Sequence, residues 1–154
     1  MKKEASFTFE EIKEKMAHYC AYQDRCHWEV ENKMREFNLI PEAWDLIMIE
    51  LIQQNFLNEE RFARSFARGK FNQKKWGKMK IRQALRQKRV PEKLIELGLT
   101  EIDEAMYLET LEELFLKKSD ELVHERDSFK KQAKIRNYLL QKGFESELIY
   151  GLFR

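Results

Sequence analysis

Residues 61–91 carry the side chains best suited to chemistry, and that chemistry is the binding of anions. The stretch contains twelve basic residues and not a single Asp or Glu. They are Arg61, Arg64, Arg68, Lys70, Lys74, Lys75, Lys78, Lys80, Arg82, Arg86, Lys88 and Arg89. A surface of this composition predicts contact with phosphates or with an acidic protein patch. We expect its affinity to fall steeply as the salt concentration rises.

Nine of these residues are our candidate contacts to DNA or to a protein partner: Arg64, Arg68, Lys74, Lys75, Lys78, Lys80, Arg82, Arg86 and Arg89. The alternative is that they only solvate a helix face or pair with the acidic third unit. Residues 92–127 hold twelve acids against four bases. Ordinary solvated helices mix both signs of charge, so the absence of acids favours partner binding. Arg61 lies three residues past the expected helix cap Asn58, and we expect it to pair with a neighbouring unit instead.

Two large aromatic residues, Phe71 and Trp76, flank Lys74 and Lys75. This interleaving could stack the bases of single-stranded DNA. The favoured alternative is that both rings fill the joint between helices, because large aromatic side chains are mostly buried. Three further aromatic residues are expected in apolar stripes of the core: Trp28, Trp44 and Tyr107.

The sequence gives no support for a metal site, a cofactor or a catalytic centre. His18, Cys20, Cys26 and His27 lie within ten positions, but their spacing is not a known zinc arrangement. There is no Walker-type Gly-rich loop, no Gly-x-Ser-x-Gly elbow and no His-Glu-x-x-His pair. A nuclease would need acids among the bases to hold metal ions, and the basic stretch has none. We therefore predict a protein that is not an enzyme.

The composition predicts a helical protein of the cytoplasm. Of 154 residues, 43% are apolar and 36% charged, and only five Gly and two Pro are present. Such a composition favours helices joined by tight turns over an all-β fold. The amino terminus lacks the apolar run of a secretory signal, and no segment is apolar enough to span a bilayer. Two cysteines are too few for a disulfide framework in a chain of this size.

Capping and turn residues predict nine helices. Thr8 to Glu11 forms a capping box, Pro41 suits a first helical turn, and Asn58 can cap the helix that carries Phe62. Gly77 marks the entry to the next helix, and a second helix is expected from about Arg25. Further expected positions are a helix ended by Gly98, a long helix from Ile102 to about Lys118, a helix capped by Asp127 or Ser128 and ended by Gly143, and a last helix capped by Ser146. Two inward stripes are predicted, one of Trp44, Ile47, Met48, Leu51 and Ile52, and one of Met106, Leu108, Leu111, Leu114 and Phe115.

The chain also contains an internal repeat. Lys80 to Val90 matches Lys134 to Phe144 at an offset of 54 residues, and a weaker copy around Val30 to Pro41 lies 51 residues earlier. A three-helix unit of this size buries little apolar surface alone, so neighbouring units should pack together. We predict an all-α fold of three tandem three-helix repeats in an elongated, curved array. The expected units are residues 1–57, 58–99 and 100–154.

These residues also carry a family resemblance. The segment Asn55 to Ala63, the bases that follow it, and then Gly77, Lys80-Ile81, Leu85 and Lys88 resemble the central motif of the RecX regulatory proteins. The resemblance covers nearly the whole chain and is strongest from Phe56 to Val90. Asn58 stands where the family usually has Asp, and both residues are good helix caps. Lys88-Arg89-Val90 also departs from the family, because many members have Gly before the apolar residue.

The resemblance implies a function and a partner. RecX proteins regulate the RecA recombinase, mostly as inhibitors, by lying in the groove of the RecA filament on single-stranded DNA. There they hinder filament extension, ATP turnover, strand exchange and co-protease activity, which links them to DNA repair, recombination and the SOS response. By this resemblance we expect a monomer that binds the RecA filament, with contact to single-stranded DNA either direct or through RecA. Two alternatives stay open: a stand-alone basic DNA-binding module and a scaffold for another acidic protein.

Overall fold

The structure, a computed structural model, describes residues 6–153. Within that range the chain forms nine α-helices and no β-strand. The helices are α1 (Phe9–Tyr22), α2 (His27–Met34), α3 (Pro41–Gln53), α4 (Glu59–Lys74), α5 (Lys78–Gln87), α6 (Glu92–Leu99), α7 (Glu104–Glu121), α8 (Ser128–Lys142) and α9 (Ser146–Gly151). They group into three units of three helices: α1–α3, α4–α6 and α7–α9. The prediction of an all-α tandem repeat is confirmed.

Most helix starts follow from the capping residues. The Thr8 hydroxyl accepts from the Glu11 N–H while the Glu11 carboxylate accepts from the Thr8 N–H, both at 3.2 Å. The Asn58 side chain accepts from the Arg61 N–H at 2.9 Å, and Pro41 is the first residue of α3. These contacts satisfy amides that a helix leaves unpaired at its start. Three predicted starts are wrong by one or two residues: α2 begins at His27, α7 begins at Glu104, and Glu145 is the N-cap residue of α9.

The apolar core is divided into two clusters. The first unit has its own cluster, which includes the fully buried Met16, Val30, Met34 and Ile47. The second and third units share the other cluster, made largely of residues between Phe62 and Ile149. The first unit contributes the buried thiol of Cys26 and part of Trp28 to this shared cluster. The packing therefore divides the chain into two parts: the first unit, with its own core, and the second and third units, which share one core.

Two predicted inward stripes are partly wrong. Ile52 on α3 is 45% exposed, and on α7 Met106 and Leu108 are 54% and 44% exposed. Tyr107, between them, is fully buried against Phe71 and Phe144. The other members of the stripes are buried or packed on the core, among them Ile47 and Leu51 on α3 and Leu111 and Leu114 on α7. Helical spacing therefore located the buried face of each helix but not its edges. On α7 the packing of the Tyr107 ring fixes that face.

Close packing of α4 against α6 defines the second unit. Gly98 lies near the end of α6, and a Cβ atom at this position would lie 2.7 Å from the carbonyl oxygen of Ala63. That distance is shorter than a side chain tolerates, so the glycine permits the two helices to approach. The helix continues to Leu99, so Gly98 is a packing residue and not the helix end that was predicted.

The array exposes much surface. Its accessible area is 10436 Å², against roughly 8300 Å² expected for a compact monomer of this mass. The excess agrees with units that touch only their neighbours. None of the helices between residues 6 and 153 combines the length and the apolar character needed to cross a membrane.

Candidate anion-binding surface

The two joints between the units are built in the same way. In each, the start of the second helix of one unit lies against the end of the second helix of the next unit. In the first joint the Cys26 thiol donates to the Lys88 carbonyl oxygen at 3.8 Å. In the second joint the Gly77 N–H donates to the Lys142 carbonyl oxygen at 2.7 Å. Because these positions are separated by the repeat offsets of 51 and 54 residues, the two contacts are equivalent.

The second joint is tighter than the first. The Met79 N–H donates to the Gly143 carbonyl oxygen at 2.9 Å, so backbone is hydrogen-bonded to backbone across the joint. A Cβ atom on Gly77 would lie 2.2 Å from the carbonyl carbon of Gly143. The Lys78 N–H donates to the Tyr107 hydroxyl at 2.9 Å, and that hydroxyl donates in turn to a Glu145 carboxylate oxygen. These contacts fix the third unit against the loop between α4 and α5.

Equivalent positions in the two joints carry opposite charges. In the first joint the Lys88 ammonium is paired with the Glu29 carboxylate at 3.1 Å, and Glu29 is only 15% exposed. The repeat offsets place Lys80 at the position of Glu29 and Lys142 at the position of Lys88. The ion pair of the first joint is therefore replaced by two cations in the second.

These two cations belong to a larger cluster, which we call the joint lysines: Lys74, Lys75, Lys80, Lys117 and Lys142. The Lys142 ammonium donates to the carbonyl oxygen of Lys74 at 2.7 Å, and the backbone at Gly143 touches Lys80. Burial, together with the positive charges of the other four joint lysines, lowers the pKa of Lys142. Like charges held together in a fold lower its stability unless an anion neutralises them.

The joint lysines lack acidic partners within the described part of the chain. Every ion pair of the second and third units among residues 6–153 uses other basic residues. Lys74, Lys75 and Lys117 are exposed, whereas Lys80 and Lys142 are half-buried. The cluster is thus accessible, positively charged and held by four helix ends or faces, from α4, α5, α7 and α8. Its chemistry suits the phosphate oxygens of a polyanion.

Five of the nine predicted contact residues form ion pairs with glutamates of the same chain. Arg64 and Arg68 share the Glu101 carboxylate, at 3.3 and 3.1 Å, and Arg64 also binds Glu60 at 3.2 Å. The Lys78 ammonium lies 2.9 Å from the Glu104 carboxylate and over the ring of Tyr107. Glu101 and Glu104 belong to the acidic stretch, as the alternative interpretation expected for part of the basic surface.

The two arginines of α5 pair within their own unit. Arg82 binds both carboxylate oxygens of Glu96, at 3.0 and 3.4 Å. Arg86 binds both oxygens of Glu92, and this guanidinium holds the pKa of the Glu92 carboxyl below its usual range. Two-point guanidinium–carboxylate contacts are strong and directional, so these arginines are less available to a partner than the joint lysines.

Two other arginines lie near the first joint. Arg89 is exposed, has a left-handed backbone with φ of 60°, and forms no ion pair within residues 6–153. Arg61 donates to the Asp24 carboxylate at 2.7 Å and to the Asn55 carbonyl oxygen at 3.1 Å. Asp24 belongs to the first unit, so the prediction that Arg61 pairs with a neighbouring unit is confirmed.

The aromatic residues of the basic stretch lie at the joint. Phe71 is buried in the shared core, as the favoured interpretation expected. Trp76 packs partly against the same core, and the ammonium groups of Lys70 and Lys80 lie 4.9 and 4.6 Å from its ring centroid. The indole therefore positions two cations by cation–π contact. The Trp76 ring therefore does not offer an open surface on which bases could stack.

Sequence reasoning missed Lys142 and Lys117. Both lie in the third unit, outside residues 61–91, and reach the cluster only because the second joint brings α7 and α8 to the α4–α5 loop. One signal was present: residues 128–144 contain five basic residues and no acid. The charge exchange between the two joints was also readable once the repeat offsets were applied to Glu29 and Lys88.

The cysteines are core residues. Cys20 lies in the core of the first unit and Cys26 in the shared core. Burial raises the pKa of the Cys20 thiol to about 11 and that of Cys26 to about 12, so both are protonated at neutral pH. Between residues 6 and 153, no three His, Cys, Asp or Glu side chains are grouped as metal ligands.

Two family models match the chain. Residues 58–99 match the second three-helix domain of RecX, and residues 104–152 match its third three-helix domain. A protein from Prosthecochloris aestuarii named regulatory protein RecX is 29% identical over 131 residues, which cover 85% of this chain and 83% of that protein. A namesake from Serratia proteamaculans is 31% identical over 115 residues, covering 74% of this chain and 66% of the relative.

Other relatives are longer, and solved structures share the fold. A regulatory protein RecX from Streptococcus uberis is 26% identical over 86% of this chain, and the match spans half of that relative's length. The crystal structure of RecX from Lactobacillus salivarius superposes with a TM-score of 0.85 and 26% identity, covering 94% of each chain. Another RecX crystal structure gives a TM-score of 0.78 at 26% identity, covering 91% of this chain and 70% of the other.

Fold and surface together define a class: a tandem three-helix repeat protein with a cationic surface at one of its joints. The domain matches, the named relatives and the structural neighbours agree on one family within this class. The chain belongs to the RecX family of regulatory proteins.

Proposed function

We propose that this protein binds RecA filaments on single-stranded DNA and inhibits their recombinase, ATPase and co-protease activities. The observation that carries the proposal is the cluster of joint lysines, which is accessible and lacks acidic partners within the described chain. The family relatives are named regulatory proteins, and a regulator needs a binding surface rather than a catalytic centre. We propose accordingly that the chain is not an enzyme and that it acts in the cytoplasm, where the filament forms.

In this proposal the units have separate tasks. We take residues 1–57, 58–99 and 100–154 as the three units, with the second and third holding the phosphate backbone between them. Each phosphate contact releases counterions, so the affinity for single-stranded DNA or for the filament falls with salt. The other units add contacts along the filament, and each added contact gains from the high effective concentration set by the first. A chain that is monomeric in dilute solution suffices for this binding.

The test is ATP hydrolysis by RecA on single-stranded DNA, titrated with this protein at amounts too small to cover the DNA. We expect wild-type protein to lower the rate, and the double variant K75Q/K80Q to do so only at much higher concentration. The matched control is K15Q/K93Q, which removes the same charge from exposed lysines outside the joint and should match wild type. Removing two phosphate contacts should also reduce the slope of log affinity against log salt by about 1.4, at about 0.7 for each contact.

Three outcomes would contradict the proposal. If inhibition begins only when the DNA itself is covered, the protein is a DNA-binding module that competes for phosphates. If an acidic protein binds tightly without DNA or RecA, the scaffold alternative is correct. If K75Q/K80Q inhibits as well as K15Q/K93Q, then the joint lysines are not the contact surface.

A further inference from the structure

The second helices of the second and third units meet at the second joint and carry no acid. The Gly77 N–H and the Met79 N–H donate to the carbonyl oxygens of Lys142 and Gly143, so the start of α5 lies against the end of α8. Neither α5 nor α8 contains Asp or Glu. The two helices therefore offer a partner one surface without negative charge that crosses the joint.

Both helices repeat the same polar pattern, a lysine, an amide three residues later and a second amide four residues after that. The pattern is Lys134, Asn137 and Gln141 on α8 and Lys80, Gln83 and Gln87 on α5. The repeat offset of 54 residues relates each position on α5 to its counterpart on α8. Spacings of three and four residues place side chains on the same face of a helix. We call these residues the amide stripe.

The amide stripe is accessible. Its four amides are exposed, and none of them takes part in a side-chain hydrogen bond within residues 6–153. Lys80 lies against the backbone of Gly143, so it follows Gln141 across the joint. Lys134, at the far end, is paired with Glu125 at 2.8 Å. An exposed amide keeps both its donors and its acceptor for a partner.

The copy of this pattern in the first unit has the opposite charge. An offset of 51 residues places Glu29, Asn32 and Glu36 at the positions of Lys80, Gln83 and Gln87. Glu29 is already paired with Lys88, and Glu36 is paired with Lys33 at 2.9 Å. Two carboxylates in place of a lysine and an amide disfavour a polyanion. The surface suited to an anionic partner should therefore end at the first joint.

Two equivalent copies of one pattern suit a partner whose anionic groups also repeat, which is the chemistry of a nucleic-acid strand. Amide side chains hydrogen-bond phosphate and sugar oxygens without adding charge, and the joint lysines lie midway along the stripe. Met79 and Leu140 occupy the neighbouring face at the joint and are 48% and 42% exposed. Only a single strand has free base faces for such side chains, because a duplex stacks its bases inside.

We propose that a single strand of nucleic acid runs along the amide stripe, crosses the second joint at the joint lysines and leaves the protein before α2. From Lys134 to Gln87 the two helices together measure about 25 Å, at 1.5 Å per residue. At a stacked rise of 3.4 Å this length holds about seven nucleotides. The lysines supply the salt-dependent part of the affinity, and the amides add hydrogen bonds that release no counterions. This inference rests on the proposed function, because it takes the joint lysines as phosphate contacts.

Fluorescence anisotropy with labelled oligothymidylates, without RecA and at several salt concentrations, tests the path. Q83A/N137A should weaken binding at least tenfold, at about fivefold for each lost hydrogen bond. The slope of log affinity against log salt should stay at its wild-type value, whereas K75Q/K80Q should reduce it. The matched control is Asn32→Ala, which removes the equivalent amide of the first unit and should bind like wild type. Alanine is a good helix former, so these variants should keep the wild-type urea midpoint.

Oligonucleotide length gives a second measurement. Wild-type affinity should rise steeply up to about seven nucleotides and only slowly beyond, because the strand leaves the stripe there. A steep rise that continues far past this length would overturn the proposed path. So would a loss of affinity in N32A as large as that in the single variant N137A, since the strand would then extend onto the first unit.

The two double variants separate this proposal from the proposed function. If K75Q/K80Q binds weakly and Q83A/N137A binds like wild type, the strand does not follow the amide stripe, although the joint lysines remain its contact. If both bind like wild type, the joint lysines fail as well. A duplex bound as tightly as the single strand, with the same loss in Q83A/N137A, would overturn the preference for a single strand. Absence of wild-type binding at low salt would overturn the proposal outright.

Discussion

The charge exchange between the two joints allows stability and binding to be changed in opposite directions at one position. Lys80 stands where the first joint has Glu29, and its neighbour Lys142 stands where that joint has Lys88. Replacing Lys80 with Glu should therefore recreate in the second joint the ion pair seen at 3.1 Å in the first. The reference variant is Lys80→Gln, because a Gln side chain has the shape of Glu without its charge. Both substitutions lose the cation–π contact of Lys80 with Trp76, so that loss cancels in the comparison.

The expected difference is modest and has a clear sign. A partly exposed ion pair contributes about 0.5–1 kcal/mol, so K80E should be more stable than K80Q by that amount. For a chain of this length, a difference of 1 kcal/mol corresponds to about 2–4 °C in Tm. The pair is partly in water, so the difference should shrink at high salt. Affinity for single-stranded DNA should change in the opposite direction, K80E binding more weakly than K80Q.

Urea denaturation of both variants measures the first effect, and fluorescence anisotropy with a labelled single-stranded oligonucleotide measures the second. Repeating both in a Lys142→Gln background completes a double-mutant cycle, in which the extra stability of K80E should become smaller, because only the exposed Lys74, Lys75 and Lys117 then attract the new carboxylate. The reasoning would be refuted if K80E were less stable than K80Q, or if the stability gain were equally large without Lys142. Equal DNA affinity of the two variants would show that stability and binding are not opposed at this joint.

Three further predictions concern the packing and the joint. Leu85→Ala should lower the free energy of unfolding by about 2–5 kcal/mol, because Leu85 is fully buried in the shared core; a urea midpoint equal to wild type would mean that α5 does not pack as described. Gly77→Ala should destabilise the second joint, since its Cβ would meet the backbone at Gly143, and amide exchange at Met79 should accelerate while the core of the first unit stays protected. The pKa of Lys142 lies below its usual 10.5, so the unfolded chain binds more protons and wild type should gain stability over Lys142→Gln as pH rises toward 10.5; a constant difference between pH 7 and 10.5 would contradict this sign.

Local features of the fold were predictable, because capping acts over three or four residues. Thr8, Pro41 and Asn58 each start a helix at the expected place, and the repeat of Lys80–Val90 in the third unit predicted the tandem architecture. The buried face of α7 was predictable only in part: Leu111 and Leu114 are buried as expected, whereas Met106 and Leu108 are exposed because Tyr107 lies inward between them. The ring packs against Phe71 and Phe144 and its hydroxyl is hydrogen-bonded to two other elements, so the inward position of Tyr107 depends on residues distant in sequence.

The positive charge of the candidate surface was predictable from the sequence, but the residues that form the surface were not. The absence of acids identified the second unit as cationic, yet the glutamates that pair with Arg64, Arg82 and Arg86 lie up to 37 residues away along the chain. The position of α6 and α7 against α4 and α5 decides which basic residues find a glutamate partner and which remain unpaired. Lys142 enters the cluster through the second joint alone, and no feature of residues 61–91 indicates it.

The division of the core has a consequence for how long the protein stays on a partner. The second and third units share one core and a joint hydrogen-bonded from backbone to backbone, so they separate only by unfolding. The first unit has its own core and meets the other two through Cys26 and side chains such as Arg61 and Lys88, so we expect it to separate from them more readily than they separate from each other. Release from a long polymer can then proceed in two stages. If the protein binds such a polymer as proposed, we expect rebinding of the detached first unit to compete with loss of the remaining pair and so to lengthen the residence time.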